Sequence, residues 1–222
     1  MMTIHSLFST PIYQVDLQPD QSTFDGMLKY MRRFDANFSK RQVRSDVGVF
    51  GDSLPGLTTD RLHCFPEFQW LTEVLCEHVT EYLQSLSSVK ARYSIFVQKS
   101  WPVVCHPSGG QVQPHTHRNA HLSAVYYIQS DSQNKTGMIK FMAPLDHYSR
   151  TLPIVFNDID SSFSFEPLQG RLLLFPSSLM HYVDQYFGSI SRYSVSYDLM
   201  LSSPSDHSLE MVMSNPSSWR QL

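Results

Sequence analysis

The stretch ARYSIFVQKSWPVVCHPSGGQVQPHTHRNAHLSAVYYIQ, residues 91–129, decides how the whole chain is read. Its runs are rich in Tyr, Val, Ile and Phe, and each run stops at a cluster of Gly, Pro, Asn or Ser. β-Branched and aromatic side chains suit a pleated, half-buried surface, so the pattern predicts short strands divided by turns. The same texture continues to residue 200, with candidate strands at 91–104, 111–117, 121–129, 137–142, 163–166, 170–175, 179–184 and 192–200. No helical crossovers separate them, which argues against a parallel sheet and predicts an antiparallel jelly-roll or cupin-like barrel. The longest interruption, Ala143 to Ser162, is of a length usually reserved for a lid or substrate loop.

Upstream the periodicity changes. Residues 6–16 read as a β-branched and aromatic strand broken by Pro11. Ser22 with Asp25 resembles a capping box, and Phe24, Met27, Leu28, Met31, Phe34 and Phe38 recur at helical spacing. Arg41 to Thr59, with Gly48, Gly51, Pro55 and Gly56, reads as loop. A second helix opens near Pro66 and aligns Phe68, Leu71, Leu75, Val79, Tyr82 and Leu86 on one stripe. The expected fold is mainly β with flanking α, a barrel buttressed by N-terminal helices. One domain spans 1–222: a strand and supporting helices over 1–90, the β-barrel core over 91–200, and a Ser-rich tail over 201–222.

Composition bounds the function. Of 222 residues, 41% are hydrophobic and 17% charged, enough apolar surface to bury a core and too little charge for a disordered tail. A formal charge of -3 provides no basic field for nucleic acid or anionic lipid. Cys64, Cys76 and Cys105 lack both zinc-site spacing and disulfide density, so reduced, buried thiols are expected. With neither a leader-like N-terminus nor a continuous apolar span, the reading is a cytoplasmic protein acting on a small-molecule substrate, without nucleic-acid or membrane partners; a homodimer is compatible with it.

Four of the ten histidines, His106, His115, His117 and His121, fall inside the quoted stretch. On a strand, residues two apart project from one face, so His115 and His117 can share a metal ion. A His-x-His pair alone fits a surface strand equally well, and a third ligand is needed. His181, in FPSSLMHYV, lies on a later strand that an antiparallel meander returns beside the His115 strand. Histidines at a barrel mouth with open positions left over suit iron or another borderline metal. Arg192 follows on what reads as the next strand of a hairpin closed at Gly188, where its guanidinium can grip the far carboxylate of a metal-chelating dicarboxylate. Ser194 shares its face. Tyr126 and Tyr127 alternate, one toward the barrel interior and one toward the helices. His106, His121 and His147 are weaker ligand candidates.

The order His-x-His, Tyr-Tyr, Gly-x-x-x-Phe, Phe-Pro-x-x-x-x-His and Arg-x-Ser resembles the 2-oxoglutarate and Fe(II)-dependent oxygenase superfamily. More narrowly, LFSTPIY, Ser100-Trp101, SAVYY and the terminal motifs resemble a bacterial and phage family of 2-oxoglutarate/Fe(II) oxygenases. SAVYYIQ and RYSVSY also look like the corresponding strands of prolyl hydroxylases. The resemblance implies a double-stranded β-helix, Fe(II) on His115, His117 and His181, and 2-oxoglutarate held by Arg192, Ser194 and Tyr127. It further implies O2-dependent C–H hydroxylation with release of succinate and CO2. Trp101, the 143–162 loop and Arg150 within it are the expected substrate walls. One departure stands out: the superfamily's usual triad is His-x-Asp or His-x-Glu with a distal His, and here His117 takes the carboxylate's position, which leaves the site one positive charge richer. Two other readings use the same residues: a three-histidine cupin-type dioxygenase or isomerase without 2-oxoglutarate, and a non-catalytic jelly-roll binding module.

Overall fold

The computed structural model describes residues 9–39, 61–86, 93–131, 133, 135–143 and 162–202. Two antiparallel sheets face each other. One takes β1 (Tyr13–Asp16), β7 (Arg171–Pro176), β4 (Leu122–Gln129), β9 (Arg192–Ser202) and β2 (Ser94–Cys105), in that spatial order. The other takes β3 (Gly110–His115), β8 (His181–Tyr186), β5 (Ile139–Met142) and β6 (Ser162–Phe165). All eight strands expected downstream of residue 90 form, with ends displaced by a few residues. This is the double-stranded β-helix expected from the sequence.

Helices α1 (Gln21–Ser39) and α2 (Gln69–Leu86) cover the outer face of the five-stranded sheet. Strand alternation supplies the surface they need: Leu122, Ala124, Tyr126 and Ile128 of β4 and Tyr193, Val195, Tyr197 and Leu199 of β9 pack into one core with Met27, Met31, Leu71 and Leu75. The opposite parity, Val125 and Tyr127 with Leu173 and Phe175, fills the space between the sheets against Ile139, Phe141 and Val183. A sheet covered on both faces demands apolar residues at both parities, which is why β4 and β7 read as nearly unbroken hydrophobic runs.

Several details depart from expectation. Asp20, rather than Ser22, caps α1: its carboxylate accepts from the Thr23 backbone N–H at 2.9 Å and the Thr23 hydroxyl at 2.8 Å. Asp25 is thereby free to accept from Gln21 Nε2 at 2.9 Å. The buried stripe of α2 ends at Tyr82, and Leu86, one turn further on, is exposed. Cys64 and Cys76 are exposed thiols, and Cys105 is buried. The largest correction concerns β8 and β9, which do not form a hairpin. β8 pairs with β3 and β5 while β9 pairs with β2 and β4, so residues 187–191 carry the chain from one sheet to the other. The physical reason lies in β9, whose Tyr193, Val195, Tyr197 and Leu199 require the helices for burial, and only the five-stranded sheet offers them. Residues 144–161 of the expected loop, with His147 and Arg150, the 41–59 segment and the tail beyond Ser202 lie outside the described residues, and Ser162, expected to end the loop, opens β6.

Candidate metal centre

His115 ends β3 and sits directly opposite His181, the first residue of β8. His117 lies two residues past the end of β3, not on the strand, and its backbone N–H donates to the Ser177 carbonyl at 2.9 Å. The three rings nevertheless converge. Their centroids are 5.1 Å apart for His115 and His117, 4.4 Å for His115 and His181, and 5.1 Å for His117 and His181. One potential ligand nitrogen from each lies within 4.8 Å of the other two.

Hydrogen bonds decide which nitrogens those are. His115 Nδ1 is 2.7 Å from the Gln113 carbonyl and His181 Nδ1 is 2.8 Å from the Leu179 carbonyl. A carbonyl only accepts, so each Nδ1 carries the proton and each Nε2 keeps its lone pair. His117 Nδ1 is 2.6 Å from Asp198 Oδ1, which sets the same tautomer. Burial pushes the His181 pKa down to about 3 and also lowers that of His115, where nearby His117 adds to the effect. Neutral imidazoles with Nε2 lone pairs directed at one point are the donor set a divalent first-row metal takes. The fit to Fe(II) rests on this arrangement.

The rings are also held in place from outside. Trp101 stacks on His117 at 5.5 Å and 30°, and Phe175 meets His181 edge-on at 4.8 Å. Trp101 is itself nearly buried and forms one wall of the cavity in front of the histidines.

Arg192 borders the same cavity at 1% exposure, although the hairpin expected to bring it there does not exist. Residues of one parity on β9, Arg192, Ser194 and Ser196, all line it, as do Ser123, Val125 and Tyr127 of β4. The guanidinium donates through Nη1 to the Gly137 carbonyl and through Nη2 to Cys105 Sγ at 2.9 Å, and it lies 5.5 Å over the Tyr127 ring. Gly137 reaches it from a left-handed conformation, φ 68°, where a Cβ would run into the Tyr186 ring. Among the described residues Arg192 Nε has no hydrogen-bond partner and no carboxylate pairs with the cation. A buried guanidinium with an orphaned N–H is costly unless a further acceptor completes it. Burial raises the Cys105 pKa, keeping that thiol neutral beside the cation, and raises that of Tyr127 to about 12.

Of the residues singled out by sequence, the structure therefore gathers His115, His117, His181, Arg192, Ser194, Tyr127 and Trp101 around one cavity. His106 instead approaches Asp35 of α1 at 3.4 Å, and His121 Nδ1 accepts the Leu201 backbone N–H. Sequence reasoning missed Asp198. The signal was present, because Asp198 shares the parity of Arg192 and Ser194 on β9, and a charged residue of the inward parity calls for a partner.

Residues 99–198 match the model of a family described as "Putative 2OG-Fe(II) oxygenase". The match runs from Lys99 in β2 to Asp198 in β9, 100 of the 222 residues, and covers the barrel strands that carry the histidines and Arg192. No curated protein matches the sequence. Solved structures share the fold at low identity. A prolyl-4-hydroxylase of Pseudomonas putida is 15% identical with a TM-score of 0.53, covering 86% of this chain and 89% of that one. AviO1 of Streptomyces viridochromogenes Tue57 is 12% identical with a TM-score of 0.59, covering 90% and 92%. SnoN, a non-heme alpha-ketoglutarate-dependent epimerase from nogalamycin biosynthesis, is 13% identical with a TM-score of 0.55, covering 93% and 88%. Among the described residues no helix is long and apolar enough to cross a membrane.

Proposed function

We propose that the chain is an Fe(II)- and 2-oxoglutarate-dependent oxygenase that hydroxylates a C–H bond of a small organic or amino-acid-type substrate. The observation that carries this reading is the juxtaposition in one cavity of three Nε2 lone pairs and a buried guanidinium without an anion. His115, His117 and His181 would hold the iron, and Arg192, Ser194 and the Tyr127 hydroxyl would hold the far carboxylate of 2-oxoglutarate. When bound, iron with O2 and 2-oxoglutarate supplies the oxidising chemistry, ending in succinate, CO2 and an oxidised substrate. The protein's residues do the rest. The Nδ1–H hydrogen bonds fix each imidazole before the metal arrives, and Arg192 sets the cosubstrate's depth through a charge-assisted contact. The aliphatic lining of Val103, Val112, Val125 and Val183 excludes water. Trp101 supports a wall for the substrate.

The test is anaerobic reconstitution with Fe(II), followed by titration with 2-oxoglutarate and measurement of succinate in air. One iron per chain, saturable 2-oxoglutarate binding and slow uncoupled succinate release are expected. Iron binding without any 2-oxoglutarate binding would favour instead a three-histidine dioxygenase or isomerase that needs no cosubstrate. Failure to bind stoichiometric metal would leave a jelly-roll binding module.

A further inference from the structure

The Asp198 carboxylate joins two regions that the chain keeps far apart. It accepts the His117 Nδ1–H at 2.6 Å and the Ser123 hydroxyl at 3.0 Å on the same oxygen, Oδ1. Ser123 also touches the Ser177 hydroxyl at 2.8 Å, and Ser177 is the residue whose carbonyl holds the His117 backbone. Asp198 is nearly buried, and among the described residues its basic partner is the His117 imidazole, with neither a lysine nor an arginine in ion-pair contact. A carboxylate in that environment needs positive charge nearby, and the imidazole it grips points its other nitrogen at the metal position. His115 and His181 have no such partner, since their Nδ1 atoms meet backbone carbonyls. The asymmetry singles out His117, which occupies the place where the facial triad of non-haem iron oxygenases ordinarily has a carboxylate.

We propose that Asp198 is a positioning residue that supplies this missing negative charge to the metal from one residue further out, through the His117 imidazole. The inference rests on the function proposed above. Drawing the Nδ1 proton toward the carboxylate makes Nε2 a stronger donor, so His117 with Asp198 behaves as an anionic ligand in two parts. Counting Asp198, the site carries the same formal charge as a two-histidine, one-carboxylate triad. The extra positive charge apparent in the sequence is cancelled.

It follows that a carboxylate at position 117 is not tolerated while Asp198 is present, because two negative groups would then face each other at the distance of the present hydrogen bond. Removing the charge of Asp198 should therefore act in opposite directions in two backgrounds. Anaerobic Fe(II) affinity, measured by chelator competition, is compared for the parent, Asp198→Asn, Asp198→Ala, His117→Asp and the His117→Asp/Asp198→Asn pair. Asp198→Asn keeps an oxygen for both hydrogen bonds, and it should weaken Fe(II) binding about tenfold while the metal-free near-ultraviolet circular dichroism stays that of the parent. Asp198→Ala should lose up to about a hundredfold. The double variant should bind Fe(II) more tightly than His117→Asp alone. A residue that merely braces the fold would weaken binding in both backgrounds, and that result overturns the proposal, as does an affinity unchanged by Asp198→Asn. Ser123→Ala removes a hydrogen bond to Asp198 but not its charge, and should alter Fe(II) affinity by no more than a few-fold. A loss as large as that of Asp198→Ala would assign the effect to the hydrogen-bonded scaffold instead. A parent protein that takes up no Fe(II) overturns the oxygenase reading itself, whereas a parent that binds iron indifferently to Asp198 overturns this inference alone.

Discussion

The five-stranded and four-stranded sheets contribute different halves of the site and differ in how firmly they are embedded. In the first, β4, β7 and β9 are buried at both parities, between two helices on one side and the facing sheet on the other. In the second, β5 and β8 alternate between buried and partly exposed residues, and β6 has no buried residue. Arg192, Ser194, Tyr127 and Asp198 all come from the embedded sheet, while His115 and His181 come from neighbouring strands of the lighter one. His117 leaves β3 and is tied across to β9 by Asp198. A buried charge must be held by fixed polar partners, and the helix-backed sheet keeps such partners in place. The proposed metal ligands can stand on a lighter support, because a bound ion would contribute its own free energy to holding them together.

The largest effect is expected at the lighter sheet. His115→Ala and His181→Ala should each lose most of the bound Fe(II), read by metal analysis after anaerobic reconstitution, and full retention in either removes that histidine from the ligand set. Next is the embedded core: Leu174→Ala, at a fully buried position between β7 and the helices, should cost about 2–5 kcal/mol in denaturant unfolding. A loss well below that range would mean the two sheets are not so different. Arg192→Ala should weaken 2-oxoglutarate binding about ten- to a hundredfold, equivalent to roughly 1.5–3 kcal/mol, while iron stays bound. An unchanged dissociation constant would give the cosubstrate's carboxylate to another cation.

Smaller effects are expected at the edges. Arg171 on β7 holds Asp16 on β1 through two contacts of 2.8 and 3.0 Å, and these hydrogen bonds lower the Asp16 pKa. Because the folded value lies below the unfolded one of about 4, the pair's contribution is present above that pH and fades as pH falls through the folded value. Asp16 is half exposed, so Asp16→Asn should cost less than about 1 kcal/mol near neutrality, with the difference from the parent vanishing in acid. Phe163→Ala on β6, at 65% exposure, should change unfolding free energy by no more than about 0.5 kcal/mol. A cost comparable to that of Leu174→Ala would show the lighter sheet to be as firmly packed as the other.

Much of this architecture was legible in the residues themselves. The period-two alternation of SAVYYIQ assigned Tyr127 and Val125 to one face and Tyr126 to the other, because successive side chains on a strand must diverge. Gly, Pro and Asn clusters marked where strands stop, and the 3.6-residue spacing of Met27, Met31 and Phe34 marked a buried helix face. The spacing of His115, His117, His181 and Arg192 drew attention to the residues that now share a cavity. These signals are local, carried by covalent geometry and by which face of an element can leave water. What the tertiary structure alone decided is non-local. Whether Arg192 follows His181 along a hairpin or crosses to the opposite sheet depends on where Tyr193, Val195 and Tyr197 find helices to cover them, more than a hundred residues away from Met27 and Met31. The pairing of His117 with Asp198 has the same origin: a carboxylate 81 residues distant becomes a hydrogen-bond partner only when β3 and β9, in different sheets, are brought face to face by the packing of everything between them.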